Sequence, residues 1–387
     1  MKIAILTGGF PSPDNPSKSI FNYRAAKGLS KHAKVEVFQF RFWKPGRSFL
    51  STADYDGIKV TSLALPWVPV DLPMLNALNL RFWGKWAKNL LKNRLDDVDI
   101  IHSIGLETAP VAAEVSKATK KKHVAQTIGS DALIYLPQKE KYFNVKDWTK
   151  HTSCVICNSN FLKTHIAEKY PSVRAETAYR GTNLSNFLSK ELTKKTPLKF
   201  LYLGGFSNRK GSGYGSDLKG GEALKEIWEF FDKKPDLSYT LCLGGPESDS
   251  ETQKKWREEL QNPERIELLG LLSPDKVPGL MQKSAVVIIP SKSEGLPNVG
   301  VEASAAGALL VASNVGGIPE VVVDNETGIL LDPYELEAWK KTFYDIIKDY
   351  NAYTDIRHAA QKNVKENFDA EDYPIRLLNI YKSTIEQ

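Results

Sequence analysis

The 387-residue chain reads as an α/β protein made of two doubly wound parallel sheets facing a central cleft, and three observations predict this. The first is an internal echo. KIAILTGGF at 2–10 and KFLYLGGFSNR at 199–209 each run a buried-type strand into Gly-Gly-Phe. The second is the alternation of short apolar runs with helix-like stretches throughout both halves, the pattern of parallel sheets with crossover helices. The third is ELTKKTPLKF at 191–200, polar, lysine-rich and containing a proline, as a linker between domains should be.

In the first half, strands are expected at 35–40 (VEVFQF), 98–103 (VDIIHS), 122–129 (KHVAQTIG) and 153–159 (SCVICNS). Helices are expected at 17–32 and 107–121. In the second half, strands are expected at 239–245 (YTLCLGG), 266–270 (IELLG), 285–291 (AVVIIPS) and 308–315 (ALLVASNV), with a helix at EALKEIWEFF. The segment LRFWGKWAKNLLKNR at 80–94 reads as an amphipathic helix: Arg81, Lys85, Lys88 and Lys92 share one face, while Trp83, Trp86, Leu90 and Leu91 fall opposite and are expected to pack on the core. The domains follow as 1–190, 197–370 and a C-terminal helix at 371–387 returning towards the first.

Composition narrows the class. With 42% hydrophobic and 25% charged residues, the chain has the balance of a globular protein. Gly-Gly-Phe-Pro interrupts the first apolar run too early for a signal-peptide core, and no run approaches a membrane span, so a cytoplasmic protein is expected. Cys154, Cys157 and Cys242 cannot form a disulfide framework. Cys154 and Cys157 lie three apart in a strand-like run, on opposite faces, and read as buried small residues. Residues 1–187 carry about 27 Lys/Arg against 15 Asp/Glu, near +12, and the remainder is near −6. A basic first half suits an anionic partner.

The residues with most chemistry stand at 291–307, SKSEGLPNVGVEASAAG. Glu294 is expected in a loop at the carboxyl end of a buried strand and Glu302 in the first turn of the next helix, in the crevice where open α/β sheets bind ligands. Gly8-Gly9-Phe10-Pro11 lacks the third glycine of a dinucleotide fingerprint, yet Gly8 and Gly9 expose backbone N–H groups that a diphosphate can approach.

Together these motifs resemble, over essentially the whole length, the retaining GT-B glycosyltransferases of family GT4, the glycosyl transferases group 1. Glu294-Gly295-Leu296-Pro297-Asn298 through Glu302 looks like the family's E-x7-E element. Val315-Gly316-Gly317-Ile318-Pro319-Glu320, Leu269-Gly270, Cys157-Asn158-Ser159-Asn160-Phe161 and Arg180-Gly181-Thr182-Asn183 resemble further family segments in the same order. The resemblance implies two Rossmann-like domains, with the acceptor on the first and the nucleotide-sugar donor on the second. It implies that Glu302 binds the donor ribose and Glu294 the transferred sugar, that the amides of Gly295, Leu296, Pro297-Asn298 and Val299 hold sugar and phosphate, and that the backbone around Gly270 reads the base. It implies no cofactor, a UDP- or GDP-sugar donor, and a glycan, glycolipid or lipid-linked acceptor in cell-surface polysaccharide synthesis, without nucleic acid.

Two departures matter. The family carries G-R-x-x-x-x-K-G on the diphosphate. Here Gly205 stands where the arginine belongs, Arg209 is offered as its replacement, and Lys210 and Lys219 compete for the lysine, with Lys219 preferred. Ile128 in Gln126-Thr127-Ile128-Gly129-Ser130-Asp131 occupies the place of a family histidine; His102 ends a strand expected to face the same cleft, where a lone histidine is more often structural. Asp97-Val98-Asp99 spells a metal-binding D-x-D, but in a helix-to-strand connection, so no metal site is assigned. Alternatives are a non-catalytic nucleotide-sugar-binding GT-B protein or a GT-B epimerase. The lysine stripe of 80–94, with Lys120, Lys121, Lys122 and Trp67, is expected to make peripheral contact with the anionic inner face of a membrane.

Overall fold

A computed structural model describes residues 1–12, 15, 19–46, 48–67, 72–189, 197–206 and 217–387. The chain divides into two compact units, Met1–Tyr179 with Glu371–Gln387, and Arg180–Ala370.

Among the described residues the first unit holds eight strands: β1 (Lys2–Thr7), β2 (Lys34–Phe42), β3 (Leu50–Tyr55), β4 (Ile58–Leu65), β5 (Ile100–Ile104), β6 (Lys122–Thr127), β7 (Cys154–Cys157) and β8 (Arg174–Thr177). Their order is β3-β4-β2-β1-β5-β6-β7-β8, and only the β3–β4 pair is antiparallel. The order reverses beside β1, where a doubly wound sheet opens its ligand crevice. Five helices follow in the chain, α1 (Ile20–Ser30), α2 (Pro73–Leu91), α3 (Ala109–Thr119), α4 (Leu136–Lys139) and α5 (Asn160–Lys169).

Alternation along the strands sorts side chains into two cores. Ala4 and Leu6 of β1 join α2 and α3 on one face, and Ile3 and Ile5 join α1 on the other. Cys157 and Cys154 are likewise split between these two cores, both buried and unbridged. Burial pushes the Cys154 thiol up to about 11, so it is inert.

The expected hydrophobic face of the 80–94 segment is met by Leu91, which is buried, and by Trp83 and Leu90, which pack half-buried against the core, but not by Trp86. The buried stripe of α2 is Ala77, Leu80, Gly84, Ala87 and Leu91, while Phe82 and Trp86 are exposed. Close packing against α3 selects the small residues: a Cβ at Gly84 would lie 2.9 Å from Glu114 Cγ. Trp83 is half-buried, its Nε1 donating to the Pro66 carbonyl at 2.6 Å.

The second unit holds β9 (Leu198–Tyr202), β10 (Tyr239–Gly244), β11 (Ile266–Gly270), β12 (Val286–Ile289), β13 (Leu309–Ser313) and β14 (Ile329–Leu331), all parallel in the order β11-β10-β9-β12-β13-β14. Its helices are α6 (Gly221–Asp232), α7 (Glu251–Glu258), α8 (Val277–Lys283), α9 (Asn298–Ala305), α10 (Leu336–Lys348) and α11 (Thr354–Asn367). An aromatic core of Phe200, Trp228, Phe343 and Trp339 locks α6 and α10 onto the sheet.

The chain then re-enters the first unit as α12 (Tyr373–Ile385), where Leu377 and Tyr381 complete the α1-side core. The division between the units precedes residue 190 because 180–189 is tied to the second unit. Thr182 exchanges backbone bonds with Phe368 and Ala370, and Ser189 N–H reaches the Ala305 carbonyl. The expected linker residues 191–196 lie outside the described residues.

Candidate active site

β12 ends in Pro290, and the loop that follows carries Ser291 and Glu294 before α9 begins at Asn298. Against it stands the turn before α6, with Lys219. Lys219 Nζ lies 2.5 Å from Glu294 Oε1, and Ser291 donates to the same oxygen at 2.9 Å. These groups line a hollow of 250 Å³ with Leu296, Pro297, Asn298 and Val299. The first-turn amides of α9, at Asn298 and Val299, have no acceptor within their own helix. A cation, a carboxylate and helix N–H groups thus converge on one concave surface at the carboxyl edge of the sheet, the arrangement that holds an anion beside hydroxyls.

Backbone geometry explains the glycines here. Gly220 (φ 75°) caps α6 so close to β12 that a Cβ would meet the Pro290 carbonyl oxygen at 2.0 Å. Gly316 (φ 58°) lies under the Glu294 loop, where a Cβ would come within 2.0 Å of the Glu294 carbonyl oxygen, and Gly317 N–H donates to that oxygen at 3.2 Å. The GGIPE segment therefore sets the height of Glu294. Gly205 has φ 69°, and a Cβ there would strike the Pro246 carbonyl at 2.5 Å. This backbone accommodates no arginine at the position where the family has one.

Several sequence expectations meet the structure differently. Glu302 is not in the first turn of its helix. It is the fifth residue of α9, in the second turn, so the helix N-terminus does not stabilise it; its Oε1 accepts from Thr182 Oγ1 at 3.2 Å instead. Gly270 closes β11 with φ 64°, its carbonyl accepting from Gly245 N–H. Gly270, Gly295 and Glu302 are not among the lining residues of the Lys219–Glu294 hollow. Arg209 and Lys210 lie outside the described residues. Gly8 and Gly9 follow β1 in the first unit; Gly9 N–H is turned to Thr7 Oγ1 at 3.3 Å, and its carbonyl takes Asn22 Nδ2 at 2.9 Å, so Gly8 is the open one.

His102 is a structural histidine: fully buried in β5, its Nδ1 is 2.7 Å from the Tyr381 hydroxyl. Asp97 pairs with Lys2 Nζ at 2.7 Å, and Asp99 accepts the Lys2 amide at 2.7 Å, tying the start of β1. The Lys2 bond holds the Asp97 carboxyl below its usual range.

Four residues carry geometry that pattern reading did not single out. Ser291 and Thr182 hold the two glutamates. Tyr202 hydroxyl donates to the Gly205 carbonyl at 2.7 Å, tying down the first glycine turn. Asp131, buried, accepts from the amides of Leu106, Ile128, Gly129 and Ala132 and from Thr127 Oγ1, fixing the loop that exposes Ile128. Asp131 accepts from Gly129, two residues before it and so opposite in sense to an Asx-turn, and the local sequence carries no signal for it.

Two doubly wound, mainly parallel sheets of this kind make the fold that of the GT-B class. Residues 186–363 match the family described as Glycosyl transferases group 1. The chain is 29% identical to an uncharacterised glycosyltransferase of Methanocaldococcus jannaschii over 73% of each chain. Among solved structures it is similar to the sucrose-phosphate synthase of Thermosynechococcus elongatus (TM-score 0.75, 17% identity, 99% of this chain and 98% of that one). It is also similar to Anabaena HepE in complex with UDP (TM-score 0.72, 18% identity, 99% and 100%). The match to the group 1 glycosyltransferases thus lies within the second unit, while the likeness of fold to the solved structures spans the whole chain.

Proposed function

We propose that the protein is a retaining glycosyltransferase that moves a sugar from a UDP- or GDP-sugar, bound by the second unit, to a hydroxyl of a glycan or lipid-linked acceptor bound by the first. The observation that carries this reading is the Lys219–Glu294 pair over the N-terminus of α9. An ammonium on the diphosphate neutralises the charge that grows as the nucleoside diphosphate departs, and fixed N–H dipoles of Asn298 and Val299 add to it. Glu294, freed from Lys219 by the incoming phosphate, accepts hydroxyls of the transferred sugar and steadies positive charge at its anomeric carbon. Glu302, oriented by Thr182, accepts the ribose diol.

In the reaction the anomeric C–O bond to the diphosphate breaks, the acceptor oxygen bonds the same carbon from the same face, and the acceptor proton passes to a leaving phosphate oxygen. No protein nucleophile is required. Lys219 supports a metal-independent reaction, since its ammonium lies where the diphosphate is proposed to bind, and Arg209 and Lys210 are the further cations that the family resemblance offers. A UDP donor is supported by the UDP complex of the HepE structure.

Peripheral contact with an anionic membrane is supported by α2, whose exposed Arg81 and Lys85 stand beside exposed Phe82 and Trp86. No helix among the described residues is long and apolar enough to cross a membrane. The role proposed is in cell-surface glycoconjugate synthesis.

A thermal-shift screen of nucleotide sugars tests the donor assignment, since a bound donor raises stability by RT ln(1 + [L]/Kd). Product formation from a radiolabelled donor, with and without acceptor extract, then separates transfer from silent binding. Stabilisation by no UDP-, GDP- or ADP-sugar overturns the reading.

A further inference from the structure

At the carboxyl edge of β1 and β2 the first unit contains two adjoining hollows of 440 and 460 Å³, which share Gly8, Phe42, Trp83, Glu107 and Thr108. Their rim is aromatic. Phe42 and Trp67 stack with centroids 4.3 Å apart and planes 28° apart, yet remain 51% and 40% exposed. Trp83 braces Phe42 at 5.5 Å and is itself fixed through Nε1 to the Pro66 carbonyl. Rings held this way keep one conformation without a partner, so a ligand stacking on them meets no ordering cost.

The floor is polar. Glu107 is ion-paired with Lys139. Thr108 hydroxyl donates its proton to the Gly105 carbonyl at 2.7 Å, which leaves its oxygen turned to act as an acceptor. Arg41 is steadied by two bonds from its guanidinium to Gln39 Oε1, at 3.0 and 2.8 Å. An acyl or isoprenoid chain in this place would cover these groups without bonding them, at a cost for each. A sugar ring offers apolar C–H faces to the aromatic rim and hydroxyls to the floor.

We infer that the first unit carries a carbohydrate subsite in which a pyranose of the acceptor stacks on Trp67 and Phe42 and hydrogen-bonds to Glu107, Thr108 and Arg41. That the pyranose is an acceptor rests on the transferase reading. The stacking site itself rests on the aromatic rim and polar floor alone.

The test is saturation-transfer-difference NMR on the full chain with methyl glucoside, galactoside, mannoside and N-acetylglucosaminide. At least one should receive magnetisation at its ring protons. Its affinity should fall at least about tenfold in Trp67→Ala and in Phe42→Ala, as for other aromatic anchors. Trp67→Phe should retain most of the signal. Trp86→Ala, an exposed aromatic that does not line either hollow, should leave it unchanged. Thermal stabilisation by UDP or GDP should be the same in wild type and Trp67→Ala.

No pyranoside signal in the wild type, or a signal indifferent to Trp67→Ala, overturns the inference. So does a loss in Trp67→Ala of binding to phosphatidylglycerol vesicles with no loss of sugar binding, which would make the rim a lipid contact. Trp67-dependent sugar binding by a protein that binds no nucleotide would leave the subsite standing and remove the transferase reading.

Discussion

Gly316→Ala probes how the second unit positions Glu294, because its consequences can be worked from geometry. Gly316 has φ 58°, a conformation that costs an L-residue about 1 kcal/mol. Its added Cβ would lie 2.0 Å from the Glu294 carbonyl oxygen and 3.3 Å from the Glu294 nitrogen, both backbone atoms. Restoring the 3.4 Å of ordinary contact from 2.0 Å demands a movement of about 1.4 Å, in a segment already joined by the Gly317 amide. Overpacking of this kind adds roughly 1–3 kcal/mol. The sum is on the order of 3 kcal/mol, and for a unit of this size that lowers Tm by roughly 6–12 °C.

Activity should suffer more than stability. A displacement of about 1 Å at a substrate-contacting group costs on the order of 100-fold in turnover. The assay is single-turnover transfer at 20 °C, with the nucleotide sugar that most stabilises the wild type, alongside thermal melting. Gly279→Ala on α8 is the control, since a Cβ there meets nothing within 4 Å and its stability should hold or rise. Wild-type turnover in a folded Gly316→Ala protein would refute the claim that the GGIPE segment sets Glu294.

Lys219→Ala should lower turnover by one to two orders of magnitude and more than Lys210→Ala does; equal effects in steady-state assays would leave the diphosphate ligand undivided between them. Activity should survive EDTA, and Asp97→Asn with Asp99→Asn should alter stability but not turnover; a magnesium-reversible loss in chelator counts against a metal-independent reaction. Burial depresses the His123 imidazole to about 3, with its ring nitrogens at Ser103 and Thr152. The unfolded chain therefore binds a proton below pH 6.5 that the folded chain refuses until about pH 3, so stability should fall as pH drops through that window, by at most about 5 kcal/mol, with the slope flattened in His123→Gln; urea titrations at several pH values read this. Lys85→Glu with Lys88→Glu should reduce cosedimentation with anionic vesicles at low salt and leave donor affinity unchanged; equal binding to neutral vesicles would make the α2 cations a solvated face.

The parts of the fold visible in sequence are those buried on both sides. Continuous apolar runs such as AVVIIP and IELLG mark central parallel strands, and β11 occupies Ile266–Gly270 as read. Strand β3 leaves no trace in the sequence because it is the sheet edge: Ser51, Thr52, Ala53 and Asp54 are all exposed and carry no hydrophobic signal, and the turn into β4 uses Asp56-Gly57, both with positive φ. Strand β14, only Ile329–Leu331, is too short to show a period.

Helix α2 shows why a correct period leaves the centre of the buried face unread: Trp83, Leu90 and Leu91 pack on the core as expected, but the most buried positions are small. Its sequence offers two stripes to bury, a large one through Trp83, Trp86 and Leu90 and a small one through Ala77, Gly84 and Ala87. Hydropathy favours the first. What decides is the partner: α3 approaches closely enough that its Glu114 stem would crowd any side chain at position 84, and only the small stripe admits it. The rings flank this stripe, Trp83 half-buried against the core and Phe42, and Trp86 exposed against Phe49. The same logic governs the second unit. The E-x7-E spacing is legible in one segment of chain, whereas Lys219, 75 residues before Glu294, becomes its partner only through Gly220, whose missing Cβ lets the α6 turn close on Pro290. The glycines at 84, 220 and 316 therefore act as contact residues, and what each contacts is fixed by a neighbour remote in sequence.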